Sequence, residues 1–315
     1  MSSSLHELRV IAFPGAPNLP VFAAMGHGFF AENGISVDLT TTPSSVFQFV
    51  KFAEGAFDIA MTAYDNVVAY SEGQGAVQVP DDFDMRVIMG ATQIELAFVT
   101  QLDVKTYADI KGRTLALDAL ATGFAFVLYE MLADGGLTAD DYTRVPVGST
   151  PKRWESVRDG EHAGTLTIEP FTSIARARGF NVLDVSSRLY PDYQGGVVGT
   201  RPVWARANGD AVRGFIRGYL KGLEWVLDPQ NSDAASALLL AKMPAIKPGV
   251  VGAVMKSLLS PKSGLTPKGA ILREGMKTVL DLRSAHGKAG APLTDIDKYL
   301  DLSFYQAATY QAATN

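Results

Sequence analysis

Gly26-His27-Gly28-Phe29-Phe30-Ala31-Glu32-Asn33-Gly34-Ile35-Ser36-Val37-Asp38, followed by Gly55-Ala56-Phe57-Asp58-Ile59-Ala60, is the stretch that decides the fold. Its first part reads as a helix end, a glycine turn and the start of a strand. The second reads as a short strand, Phe57 to Met61, opening on the polar loop Thr62-Ala63-Tyr64-Asp65-Asn66 before a helix over Val67 to Tyr70. Upstream, Leu8 to Phe13 is an apolar strand closed by Pro14-Gly15, and Leu19 to Ala24 carries helical spacing. Downstream, Ile35 to Leu39 alternates apolar and polar residues, runs into Thr40-Thr41-Thr42-Pro43-Ser44-Ser45, and gives way to a helix over Val46 to Ala53. This alternation predicts right-handed parallel crossovers, which gather the loops at strand C-terminal ends, and any ligand, at one edge of the sheet.

The pattern continues with strands at Met85 to Gly90 and Leu96 to Thr100, and Gln93 to Gln101 reads as the crossing into a second lobe. There, strand Arg113 to Leu117 precedes a helix from Thr122 to Ala133, stopped by Gly135-Gly136. Tyr142 to Val147 is a strand, Thr150-Pro151 starts a helix, Leu166 to Ile168 is a strand ending at Glu169-Pro170, and Phe180 to Val185 is another. Gly195 to Gly199 reads as the return crossing. Helical spacing broken by prolines fills Asp210 to His286, a tail expected to pack on the first lobe. The expected division is residues 1–95 and 203–315 for lobe 1 and 96–202 for lobe 2.

With 315 residues, 47% hydrophobic and 19% charged, the chain can bury one large core or two smaller ones. A net charge of −5 without a basic run excludes a nucleic-acid surface. The absence of cysteine excludes disulfides, thiolate metal sites and a cysteine nucleophile. His6, His27, His162 and His286 are scattered, so neither a metal nor a cofactor is expected. No apolar run reaches the roughly 18 to 20 residues of a membrane span. The first residues lack the basic start and apolar core of an export signal, so a periplasmic location requires that a signal was removed, and the alternative is cytoplasmic. Gly26 to Ala31 matches a loose dinucleotide fingerprint but follows a helical segment where that motif needs a strand. Ser149-Thr150-Pro151-Lys152 and Ser260-Pro261-Lys262 lack the partner motifs of serine-lysine acylases.

Several motifs, in this order, resemble the ABC-transporter solute-binding proteins of the sulfonate, nitrate, taurine and thiamine-pyrimidine branch. They are Gly28-Phe29-Phe30 with Glu32 and Gly34-Ile35, Gly55 with Asp58-Ile59-Ala60, Tyr107 to Gly112 before a strand, and Gly136-Leu137 before Asp140-Asp141. The segment Asp159-Gly160-Glu161-His162-Ala163-Gly164 departs from the family pattern. The resemblance implies a two-lobed α/β periplasmic-binding-protein fold of type II, with two crossing strands and a helical tail on lobe 1. It further implies a small-molecule ligand held in the cleft, a permease partner if the protein is exported, and closure by a hinge motion.

Candidate ligand residues sit at the strand ends: Asn18, Ser44, Ser45, Tyr64, Asp65, Thr122, Gly123 and Glu169. Tyr64 can stack on a flat ligand, while Asp65 and Asn18 are read either as ligand partners or as helix caps. Thr122-Gly123 opens a helix whose backbone donors a ligand can approach. The pyrimidine-type relatives imply a pairing of Glu169 with an amino group on a heterocycle. Two carboxylates in the cleft favour a neutral or amine-bearing ligand, aromatic or heterocyclic and polar, with Arg153 and Arg158 as partners for an anion in the opposite case. Trp154 and Trp204 are read as packing residues. A second reading is a cytoplasmic enzyme on the same fold, a pyrimidine-precursor synthase, decarboxylase or lyase using Glu169, Asp65 and His162.

Overall fold

The structure is a computed structural model that describes residues 4–288 and 290–312. Its first part runs β1 (His6–Ala12), α1 (Leu19–Gly26), β2 (Ile35–Thr41), α2 (Ser45–Ala53), β3 (Ile59–Ala63), α3 (Tyr64–Ser71) and β4 (Arg86–Thr92). The second comprises β5 (Ala97–Thr100), β6 (Thr114–Leu117), α4 (Gly123–Asp134), β7 (Thr143–Pro146), α5 (Thr150–Arg158), β8 (Gly164–Thr167), α6 (Phe171–Ala177), β9 (Asn181–Val185) and α7 (Ser186–Leu189). The chain then returns through β10 (Gly196–Thr200) to α8 (Pro202–Ala207), α9 (Gly209–Leu227), α10 (Ser232–Lys242), α11 (Pro248–Leu258), α12 (Arg273–His286) and α13 (Ser303–Ala312).

These strands form two sheets, ordered β2-β1-β3-β10-β4 and β7-β6-β8-β5-β9. In each, three strands run parallel as the crossover pattern predicts. Antiparallel neighbours complete both sheets: β10 lies between β3 and β4, and β5 between β8 and β9. Gly195 to Gly199, expected as the return crossing, falls almost wholly within β10, a buried strand of the first sheet. The outward crossing shrinks to 93–96, because Ala97–Thr100 is already in the second sheet.

The motifs of the opening stretch have local physical roles. Gly34 takes φ 77, a left-handed conformation that costs a side-chain-bearing residue energy, and so turns the chain from Phe30 back into β2. Asp58 accepts from the Arg9 backbone N–H and from the Arg9 guanidinium, so it clips the start of β3 to β1. Asp159 to Gly164, the departure from the family pattern, is a turn with Gly160 at φ 83 that leads into β8 at Gly164.

Apolar packing falls into two large cores. One lies between the first sheet and α1, α9, α10 and α11, with Phe215, Ile216, Tyr219 and Leu223 of α9 facing Leu19, Val21 and Ala23 of α1. The other is continuous from α3 through α4 to α12, and joins Val67, Val68, Phe126 and Leu280 in one cluster. The tail expected on lobe 1 thus covers that lobe and also grips lobe 2, through α12 on α4 and α11 on α6. Burying each large apolar side chain contributes roughly 1.5–3 kcal/mol, so this shared core couples the two lobes. Trp154 lies in a small cluster of lobe 2 with Phe171 and Ile174, and Trp204 packs on the α9 core.

Candidate functional site

Between the lobes lies a cavity of about 830 Å³, including its mouth, at the C-terminal edge of the parallel strands. Lobe 1 contributes the loop after β1 (Phe13, Pro17, Asn18) and the end of β3 with the start of α3 (Met61, Thr62, Asn66). Lobe 2 contributes Asp118, Thr122, Gly123, Phe124 and Ile168, with Thr150 and Arg153 of α5. Apolar walls with a few converging polar groups are the usual make-up of a small-molecule site.

Of the residues expected to meet a ligand, three line this cavity: Asn18, Thr122 and Gly123. The Asn18 amide nitrogen donates to Phe13 O at 2.8 Å, which holds the side chain at the wall. Thr122 is the N-cap of α4, its hydroxyl accepting from Ala125 N–H at 3.3 Å. The Gly123 N–H donates to Asp65 Oδ2 at 2.6 Å, and a Cβ added there would meet Asp65 Cβ at 2.5 Å. No other residue permits this approach.

The remaining candidates are placed differently. Tyr64 is fully buried, its ring edge-on to Tyr299 at 6.1 Å between centroids, and burial pushes its phenol far above the usual range. It packs the shared core, with no face left for stacking on a ligand. Asp65 is also buried, holding Arg283 and Gly123 with both oxygens. Ser44 caps α2 through Phe47 N–H at 3.1 Å, and Ser45 donates its backbone N–H to Asp118 at 3.2 Å. Neither lines the cavity.

Glu169 lies on a smaller recess of about 250 Å³ beside Ile94, Glu95 and Ser263. Its carboxylate accepts from the Ser173 hydroxyl at 2.9 Å and from Ser173 N–H. Burial pushes the Glu169 carboxyl up, and the Ser173 contacts offset that only in part. His162 is bonded to Thr114 at 2.9 Å, away from both spaces. Glu169, Asp65 and His162, the acid and base groups of an enzyme reading, are thus held at separate places.

Sequence reasoning missed Phe13, Asp118, Thr150 and Phe124 as wall residues. Asp118 had a usable signal, being the first residue after β6 at the sheet edge where ligands gather. Arg153 does line the cavity, yet its guanidinium donates to Gly148 O, Thr165 Oγ1, Leu166 O and Thr150 Oγ1. Burial pushes it down to about 10, with Asp118 opposing. Arg158, the other expected anion partner, pairs with Asp159 on the surface. The lobes also touch across the cleft through Ser149 N–H on Pro43 O and Ala16 N–H on Glu169 O, each at 3.0 Å.

Among the described residues, no group of three or more His, Asp or Glu could hold a metal ion, and no helix is long and apolar enough to cross a membrane. The formylaminopyrimidine-binding protein of Halalkalibacterium halodurans is 24% identical over 243 residues, which is 74% of this chain and 69% of that protein. The periplasmic nitrate-binding protein of Synechocystis PCC 6803 superposes with a TM-score of 0.78 at 13% identity, over 100% of this chain and 91% of that one. For the periplasmic aliphatic sulphonate binding protein of Escherichia coli the TM-score is 0.67 at 17% identity, over 98% and 100% of the two chains. The two-lobed periplasmic-binding-protein fold expected from the motif order is the fold of these structures. A model described as the NMT1-like family matches residues 4–240, and the chain belongs to that family.

Proposed function

We propose that this protein captures a small polar heterocyclic molecule between its lobes and delivers it to the permease of an ABC-type importer, without chemical turnover. The observation that carries the reading is the interlobe cavity, where Asn18 of one lobe faces Asp118 and Thr122 of the other within apolar walls. A ligand that touches both lobes stabilises the closed form by its differential contacts, which is how binding is coupled to hinge closure. The likeness to a formylaminopyrimidine-binding protein and to periplasmic nitrate- and sulphonate-binding proteins supports capture for uptake. Such capture implies a periplasmic location, which fractionation of cells producing the native protein tests.

The binding test is calorimetry over pyrimidines, sulfonates, nitrate and amines, with mass spectrometry of the recovered compounds. Stoichiometric binding and unchanged compounds are expected. Conversion of any compound to a product sinks the reading.

A further inference from the structure

We infer that Asp118 is the specificity-determining residue of the cavity, selecting nitrogen heterocycles that carry an amino group and rejecting anions. The inference deepens the solute-capture reading and rests on it.

Asp118 lies half-buried in the cavity wall, at the end of β6. Among the described residues its carboxylate accepts one hydrogen-bond donor, the Ser45 N–H, at 3.2 and 3.4 Å to the two oxygens. An ionised carboxylate offers about four acceptor sites. Acceptor capacity therefore faces the cavity unspent, and a ligand N–H pair is the complement that fills it.

Asn18 adds to the same bias. Its amide nitrogen must face Phe13 O, because a carbonyl only accepts, so the amide oxygen is the end left for a ligand. Arg153, the cation in the wall, is 3% exposed and already donates to neutral acceptors within its own lobe. It presents no open fork of the kind that recognises a planar anion. An anion in this space would meet the Asp118 charge, which the buried Arg153 guanidinium offsets only in part, whereas an amino heterocycle would complete that carboxylate's hydrogen bonds.

The test is calorimetry on the full chain with 4-aminopyrimidine derivatives, methanesulfonate and nitrate, for wild type, Asp118→Asn and Asn18→Leu. Asp118→Asn keeps an acceptor for the Ser45 N–H, and an unchanged melting temperature confirms the fold. Wild type is expected to bind an aminopyrimidine and neither anion. Asp118→Asn should weaken that binding about 10- to 100-fold, the range for losing a charged hydrogen-bond partner. Asn18→Leu, which removes a separate acceptor and leaves Asp118 in place, should weaken it too. The inference is overturned, and solute capture stands, if an anion binds wild type more tightly than the aminopyrimidine or if Asp118→Asn leaves aminopyrimidine affinity unchanged. Should nothing in the panel bind while one compound is converted, the capture reading falls and takes the inference with it.

Discussion

The Arg283 guanidinium grips the Asp65 carboxylate through Nε to Oδ1 at 2.6 Å and Nη2 to Oδ2 at 2.7 Å, although the two residues lie 218 positions apart. The side chains are 0% and 1% exposed, so neither charge has water to fall back on. The guanidinium also donates to Ala121 O at 3.0 Å and lies 4.9 Å over the Phe126 ring, while Asp65 takes the Gly123 N–H. One ion pair thereby joins α3, α12 and the start of α4.

Removing one member of that pair strands the other. Arg283→Met is expected to destabilise the protein by about 3–5 kcal/mol, because a buried carboxylate is left without its cation. The double variant Asp65→Leu with Arg283→Met should recover part of that loss. Urea denaturation of the two single variants and the double one measures the coupling; simple additivity would refute it.

Gly123→Ala tests the close approach between lobes. Its Cβ would overlap Asp65, so α4 must shift away from α3. A loss of about 1–3 kcal/mol is expected, the usual cost of overpacking, together with weaker ligand binding because Gly123 and Thr122 form one wall. Melting temperature and calorimetry on the same sample provide both readings.

Tyr64→Phe is expected to leave ligand affinity unchanged. The Tyr64 hydroxyl is buried with no hydrogen-bond partner among the described residues, so its removal should leave stability equal or raise it by up to about 1 kcal/mol. A several-fold loss of affinity would return Tyr64 to the site.

Glu169→Gln should change how stability depends on pH. A carboxyl held above its ordinary range binds its proton more tightly in the folded state than in the unfolded one. Its contribution is therefore fully present below the unfolded carboxylate pKa and is lost as pH rises through the raised folded value. The variant should match or exceed wild type in melting temperature at neutral pH, and lose that advantage near about pH 4. Melting curves across this range decide it; an advantage confined to acid would reverse the sign.

Much of the scaffold was legible because it is local. Strand and helix periods marked β1 to β3 and α1 to α3 within a few residues, and Asn18, Thr122 and Gly123 stood where strand-to-helix loops meet a sheet edge. Gly195-Gly196-Val197-Val198-Gly199 marked the return crossing, but its antiparallel place between β3 and β4 depends on partners more than a hundred residues upstream. Tyr64 and Asp65 begin a helix at the sheet edge, but their partners, Tyr299 and Arg283, lie more than two hundred residues later. Asp118 directly follows β6, where an acidic residue is also ordinary loop chemistry, and only the facing loops of lobe 1 make it part of a cavity wall.

The placement of α12 sets a limit on what can be trimmed from the chain. Its first residues lie against the return linker, with Leu272 N–H on the Gln194 side chain, and its last turn reaches α4 through His286 and Glu130. A protein ending before Arg273 would keep both sheets and both linkers. It would lose the spacer that fixes the distance between its halves. The least distinctive part of the sequence thus works as the molecule's internal ruler, and versions shortened before Arg273 lose the alignment of their halves together with the buried partner of Asp65.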